Sequence, residues 1–110
     1  MASILKWSDV TPAVNVSGRR AEKHHKNQDL FEVVGGDGEM IFIVGGEAAG
    51  PTSEGDNPSD PTSLSSGIIG GETHVLRKGM DPFHIPADEW HQWSTKGTVY
   101  YRVLKIPADW

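Results

Sequence analysis

The chain predicts an all-β fold of short antiparallel strands, and three observations carry that expectation. Thirteen glycines and seven prolines accompany only 36% hydrophobic residues, a composition suited to many short strands joined by turns. No segment sustains an apolar period of 3.6 residues, so helix is expected in less than about a fifth of the chain. Strand-forming runs also recur around Gly- and Pro-rich punctuation.

Taken in order, residues 1–17 read as an N-terminal strand or arm. Asp29 to Val34 and Glu39 to Val44 are rich in β-formers, and the intervening Gly35-Gly36-Asp37-Gly38 predicts a hairpin between them. Residues 45–71 break the rhythm. They hold Glu47, Glu54, Asp56 and Asp60 with no Lys or Arg, three prolines and many Gly and Ser, and are expected to form a long acidic loop without a packed strand. Further strands are expected at Thr73 to Arg77, Pro82 to Ile85 and Thr98 to Ile106.

At 110 residues the chain suits one domain with one core. It has no cysteine, which excludes disulfides, thiolate nucleophiles and Cys-ligated metals and leaves His and carboxylate as the strong ligands. The N-terminal residues lack an apolar run of signal-peptide length and no stretch approaches a membrane span, so a cytoplasmic protein without a membrane partner is expected. A net charge of −5 argues against a nucleic-acid partner. Arg19, Arg20, Lys23 and Lys26 form one small basic cluster, interrupted by Glu22; it reads as a solvated flank or as a local field steering an anionic substrate. There is no Gly-x-Ser-x-Gly and no phosphate-cradling glycine loop.

The stretch from Gly79 to His91 is the most informative. Phe83, His84 and Ile85 read as extended, Pro86 ends the pairing, and a histidine follows at position 91. Upstream, Gly18, His24-His25, Asp29 and Gly36 are spaced with three or four residues between a histidine and Asp29 and six between Asp29 and Gly36. These two stretches resemble the two sequence motifs of the cupin family, with Pro86, Asp88 and His91 on the family's Pro, Gly and His. The resemblance spans roughly residues 18 to 106 and implies an antiparallel jelly-roll β-barrel. It departs from the family in lacking a His-x-His pair, in Asp29 standing for Glu, and in Asp88 standing for Gly.

The resemblance implies a divalent metal ion, of a kind such as Fe, Mn, Zn or Ni, held by His25, Asp29 and His91 with His24 in reserve. Neighbouring strand residues point to opposite faces, so only one of His24 and His25 can face the ion; the shorter gap to Asp29 favours His25. Because residues four apart on a straight strand are about 13 Å apart, Lys26-Asn27-Gln28 must turn to bring Asp29 back beside the histidine. His91 and His84 are the candidate catalytic groups, with His84 facing outward if Phe83 and Ile85 fill the core. His74 is expected to be structural or exposed. Phe31, Phe42, Trp93 and Tyr101 could line an apolar substrate pocket. Two functions compete: a metal-dependent enzyme acting on a small organic molecule as oxygenase, isomerase, cyclase, lyase or decarboxylase, and a non-catalytic module that binds a small ligand or serves in dimerisation. A homodimer is expected from exposed sheet edges and from Trp7 and Trp110 near the termini.

Overall fold

The computed structural model describes residues 5–110. Its elements in chain order are β1 (Thr11–Val14), β2 (Ala21–His24), β3 (Asn27–Gly35), β4 (Glu39–Val44), β5 (Glu47–Ala48), β6 (Ser53–Glu54), β7 (Thr62–Ser65), β8 (Ile68–Ile69), β9 (Glu72–Leu76), β10 (Phe83–Ile85), β11 (His91–Lys96) and β12 (Thr98–Pro107). None of the described residues is helical, and every strand pair is antiparallel. The expected arm over residues 1–17 supplies β1; residues 1–4 lie outside the described part.

A four-stranded sheet runs β1-β12-β3-β10, a six-stranded sheet runs β6-β7-β2-β11-β4-β9, and β5 pairs with β8 in a small ribbon. Inward residues of both large sheets interlock into one core: Ala13, Phe31, Val33, Ile85 and Val99 from the first, Met40, Phe42, Leu76 and Trp93 from the second. Alternation decides the faces. On β3 the buried residues are Asp29, Phe31 and Val33, and on β11 they are His91, Trp93 and Thr95, the period of two expected of strands with one face in the core.

The expected hairpin across Gly35 to Gly38 is not there. Glu39 to Val44 forms the strand as expected, but β3 pairs with β12 and β10 while β4 pairs with β11 and β9, so the glycine run carries the chain from one sheet to the other. A tight crossing needs glycine here: Gly36 has φ 86°, and a Cβ on it would run into the carbonyl oxygen of Thr98. The β11 to β12 step crosses between the same two sheets at Gly97, whose N–H donates to Asn15 Oδ1 at 2.8 Å.

The acidic segment 45–71 is also more ordered than its composition suggests. It contains β5 to β8, and β7 pairs with β2 along its whole length, from Ala21 opposite Ser65 to His24 opposite Thr62. Thr62, Ser63 and Ser65 are buried. The segment therefore extends the six-stranded sheet and forms one wall of the site described next. Trp7, at the other end of the chain, finds an intramolecular partner: it bridges to Leu104 of β12, and the Arg102 guanidinium lies 4.3 Å from its ring.

Candidate metal centre

The pairing registers bring four donors to one end of the space between the sheets. His91, the first residue of β11, lies directly opposite Glu22 of β2. His24, two residues along β2 from Glu22, shares its face. The chain bends at His25 and Lys26 and enters the other sheet, where Asp29 is the first buried residue of β3. Lys105 of β12 pairs with Asp29 and points the same way.

The resulting cluster is tight. His24 Nε2 lies 3.4 Å from Glu22 Oε2 and 3.3 Å from Asp29 Oδ2, and His91 Nε2 lies 4.0 Å from Glu22 Oε2 and 3.7 Å from Asp29 Oδ2. The two imidazole centroids are 5.0 Å apart. Glu22, His24 and His91 form a group that could hold a metal ion, their ligand atoms all within 4.8 Å of one another. Asp29 touches both histidines from the opposite sheet.

Hydrogen bonds on the far side of each ring fix which nitrogen faces the cluster. The Thr62 hydroxyl gives its only proton to the Asp60 carbonyl at 2.8 Å, so it can only accept from His24 Nδ1–H at 2.9 Å. His91 Nδ1–H donates to the Glu89 carbonyl at 3.3 Å. Both rings therefore present Nε2 inward, the orientation in which metal-binding histidines are held by a partner on the other nitrogen.

Electrostatics divides the two histidines. Burial disfavours the His24 cation, but Asp29 and Glu22 outweigh it and raise its pKa to about 9. His91 is more enclosed, and burial lowers its pKa despite the attraction of Asp29. Contact with His24 holds Glu22 below its ordinary value. For Asp29, burial works upward, but His24 and the Lys105 ammonium bring it down. Lys105 Nζ stands 2.6 Å from Asp29 Oδ1 and 3.4 Å from Asp60 Oδ2. The first contact pairs the buried Asp29 Oδ1 directly with the Lys105 ammonium.

The donor set suits a divalent ion: two imidazole nitrogens and two carboxylates, the mixture used for transition metals. Lys105 occupies part of the same space. Its side chain is 44% exposed, so its ammonium can swing toward solvent when a cation enters.

The expectation that His25 rather than His24 faces the ion is corrected. His25 lies beyond the end of β2, where its Nδ1 meets Asp88 Oδ1 at 2.8 Å and its Nε2 meets Ser63 Oγ at 2.7 Å. Asp88–His25–Ser63 has the order of a nucleophile triad, but Ser63 Oγ also donates to Glu54 at 3.0 Å and sits on a paired strand, so the chain of bonds ties the 86–90 turn to β7. His84 likewise stands apart from the cluster. It is exposed, and its Nε2 contacts Gln28 Oε1 at 2.7 Å, because Phe83 and Ile85 take the inward positions. His74 is on β9 against Phe83, its ring 4.9 Å away.

Of the expected apolar pocket, Phe31, Trp93 and Tyr101 line a cavity of about 180 Å3 beside the cluster, whereas Phe42 is fully buried in the core. A wider, open cavity of about 510 Å3 lies on the other side of Glu22, His24 and Lys105, walled by Ser53 to Asn57 and Asp60. Sequence reasoning missed Glu22, Thr62 and Lys105. The signal for Glu22 was present: Glu-x-His in a strand places both groups on one face. Thr62 and Lys105 come from elements whose pairing no local pattern announces.

No protein-family model and no curated protein matches this chain.

Proposed function

We propose that this chain is a metal-dependent enzyme of the cupin kind, its two facing sheets forming a jelly-roll barrel and its cluster holding a divalent ion that acts on a small organic substrate. The observation that carries the reading is the convergence of Glu22, His24, Asp29 and His91 from both sheets, with both imidazoles presenting Nε2 and both Nδ1 atoms tied back. In this reading Glu22-Lys23-His24 stands in for the missing His-x-His pair.

An ion held there would supply Lewis-acid polarisation of a substrate oxygen. The chain's own residues have separate tasks. His24 and His91 give nitrogen ligands fixed by Thr62 and by the Glu89 carbonyl. Glu22 and Asp29 balance the charge. Lys105, at the rim, can neutralise or protonate an anionic oxygen brought beside Asp29. Phe31, Trp93 and Tyr101 exclude water from the inner wall.

One observation favours the second reading, a non-catalytic ligand-binding module. Lys105 and a protonated His24 already balance the buried carboxylates without an ion. Metal content of the untagged protein and of four single variants separates the two. The enzyme reading expects a stoichiometric divalent ion that is lost in His24→Ala and His91→Ala and kept in His25→Ala and His74→Ala. A full complement of ion in His91→Ala contradicts it.

A further inference from the structure

We propose that the inner cavity takes a small carboxylate with a flat apolar body, its carboxylate gripped by Arg19 and its body lodged among Phe31, Trp93, Tyr101 and Val103. The proposal rests on reading this cavity as the substrate site. Its size sets the first limit. An engineered cavity of about 150 Å3 holds benzene, so about 180 Å3 takes a molecule of about seven to nine non-hydrogen atoms.

Arg19 supplies the recognition. Its guanidinium lies over the Trp93 ring with Cζ 4.2 Å from the centroid, and its backbone is pinned by Gln92 Nε2, which donates to the Arg19 carbonyl at 2.6 Å. That contact keeps the guanidinium on the lining of the cavity. The carboxylate nearest to it, Glu22 Oε1, is 3.9 Å away, too long for a hydrogen bond. A guanidinium held over the indole ring with no side-chain hydrogen bond of its own can meet a carboxylate in two parallel bonds, which a lysine cannot do. The charged side chains of the lining balance without an ion, Arg19 and Lys105 against Glu22 and Asp29, so an uncommitted guanidinium there is not outweighed by carboxylates, and a divalent ion would make the cavity positive. The aromatic and aliphatic walls, in turn, select against a heavily hydrated anion such as free phosphate.

Benzoate is the probe, with benzamide as its neutral counterpart of the same shape, and binding is read from the Trp93 indole NMR signal and by calorimetry. Chelator-treated and metal-loaded protein are titrated separately, so carboxylate recognition is read apart from any contact with an ion. In chelator-treated protein, benzoate should bind at least about ten-fold more tightly than benzamide. Arg19→Gln, an exposed position whose change leaves the core intact, should remove that preference, while Arg20→Gln, facing the wider cavity, should leave affinity within about two-fold. Equal binding of benzoate and benzamide, no binding of benzoate, or an unchanged preference in Arg19→Gln overturns the proposal. Failure of the metal reading appears instead as absence of ion in the wild-type protein, a result that leaves the Arg19 comparison intact.

Discussion

At the residue scale, two histidines 5.0 Å apart hold opposite protonation states for opposite reasons. Carboxylates on two sides keep His24 protonated to about pH 9, while enclosure keeps His91 neutral. In chelated protein, the His24 ring signals in an NMR titration should therefore move near pH 9 and those of His91 below its ordinary value of 6.5. The linkage follows in sign. His24 has a raised folded pKa, so its contribution to stability is complete below 6.5 and is lost as pH rises through about 9. His91, Asp29 and Glu22 are lowered, so their contribution is lost as pH falls. Because an ion must displace the His24 Nε2 proton, metal affinity should climb with pH up to about 9 with net proton release; affinity independent of pH between 6 and 8 would contradict this. Three of the donors, His24, Asp29 and His91, are legible in the sequence by residue type and spacing. The choice of His24 over His25 is not, because it depends on where β2 ends.

At the scale of elements, β3, β4, β9, β10 and β12 fall close to the expected positions because alternation and β-branched content are local signals, whereas β11 (His91–Lys96) is a strand not among those expected from the sequence. Partner choice is not local. Gly35 to Gly38 has the composition of a hairpin turn, yet the alternation of β3 and β4 buries both against each other across the core, and only a crossing between sheets allows that. Gly36→Ala should then cost about 2 kcal/mol or more in denaturant unfolding, from both the positive φ and the clash with Thr98. Gly79→Ala, also at positive φ but with nothing within 4 Å, should cost about 1 kcal/mol. The reverse order would show that the crossing is not tight. Segment 45–71 departs from the expected loop because its Gly, Ser and Pro content masks the four residues Thr62-Ser63-Leu64-Ser65 that pair with β2. Its importance is testable: Thr62→Val keeps the shape but removes the acceptor for His24 Nδ1–H, and should weaken metal binding about 10- to 100-fold.

At the scale of the molecule, one apolar cluster between the sheets supports the site at their end. Phe42 is completely buried and packs edge-on to Phe31 with centroids 5.0 Å apart, so Phe42→Ala should destabilise by about 3–5 kcal/mol in chemical unfolding. The sheet edges at β1, β10, β6 and β9 have no partner strand within the described residues, and Val14, Ile69 and Trp110 are 58%, 64% and 58% exposed. Pairing or covering such edges is the usual remedy, and we expect a homodimer; light scattering that reports a stable 12.0 kDa species at micromolar concentration would contradict it.

Whether this cluster holds an ion is tested by anomalous X-ray scattering from crystals of the untagged protein grown with Mn2+. A single strong peak is predicted between Nε2 of His24, Nε2 of His91 and the carboxylates of Glu22 and Asp29, with the Lys105 ammonium displaced outward. No peak there, or a peak at His25 and Asp88, would contradict the account.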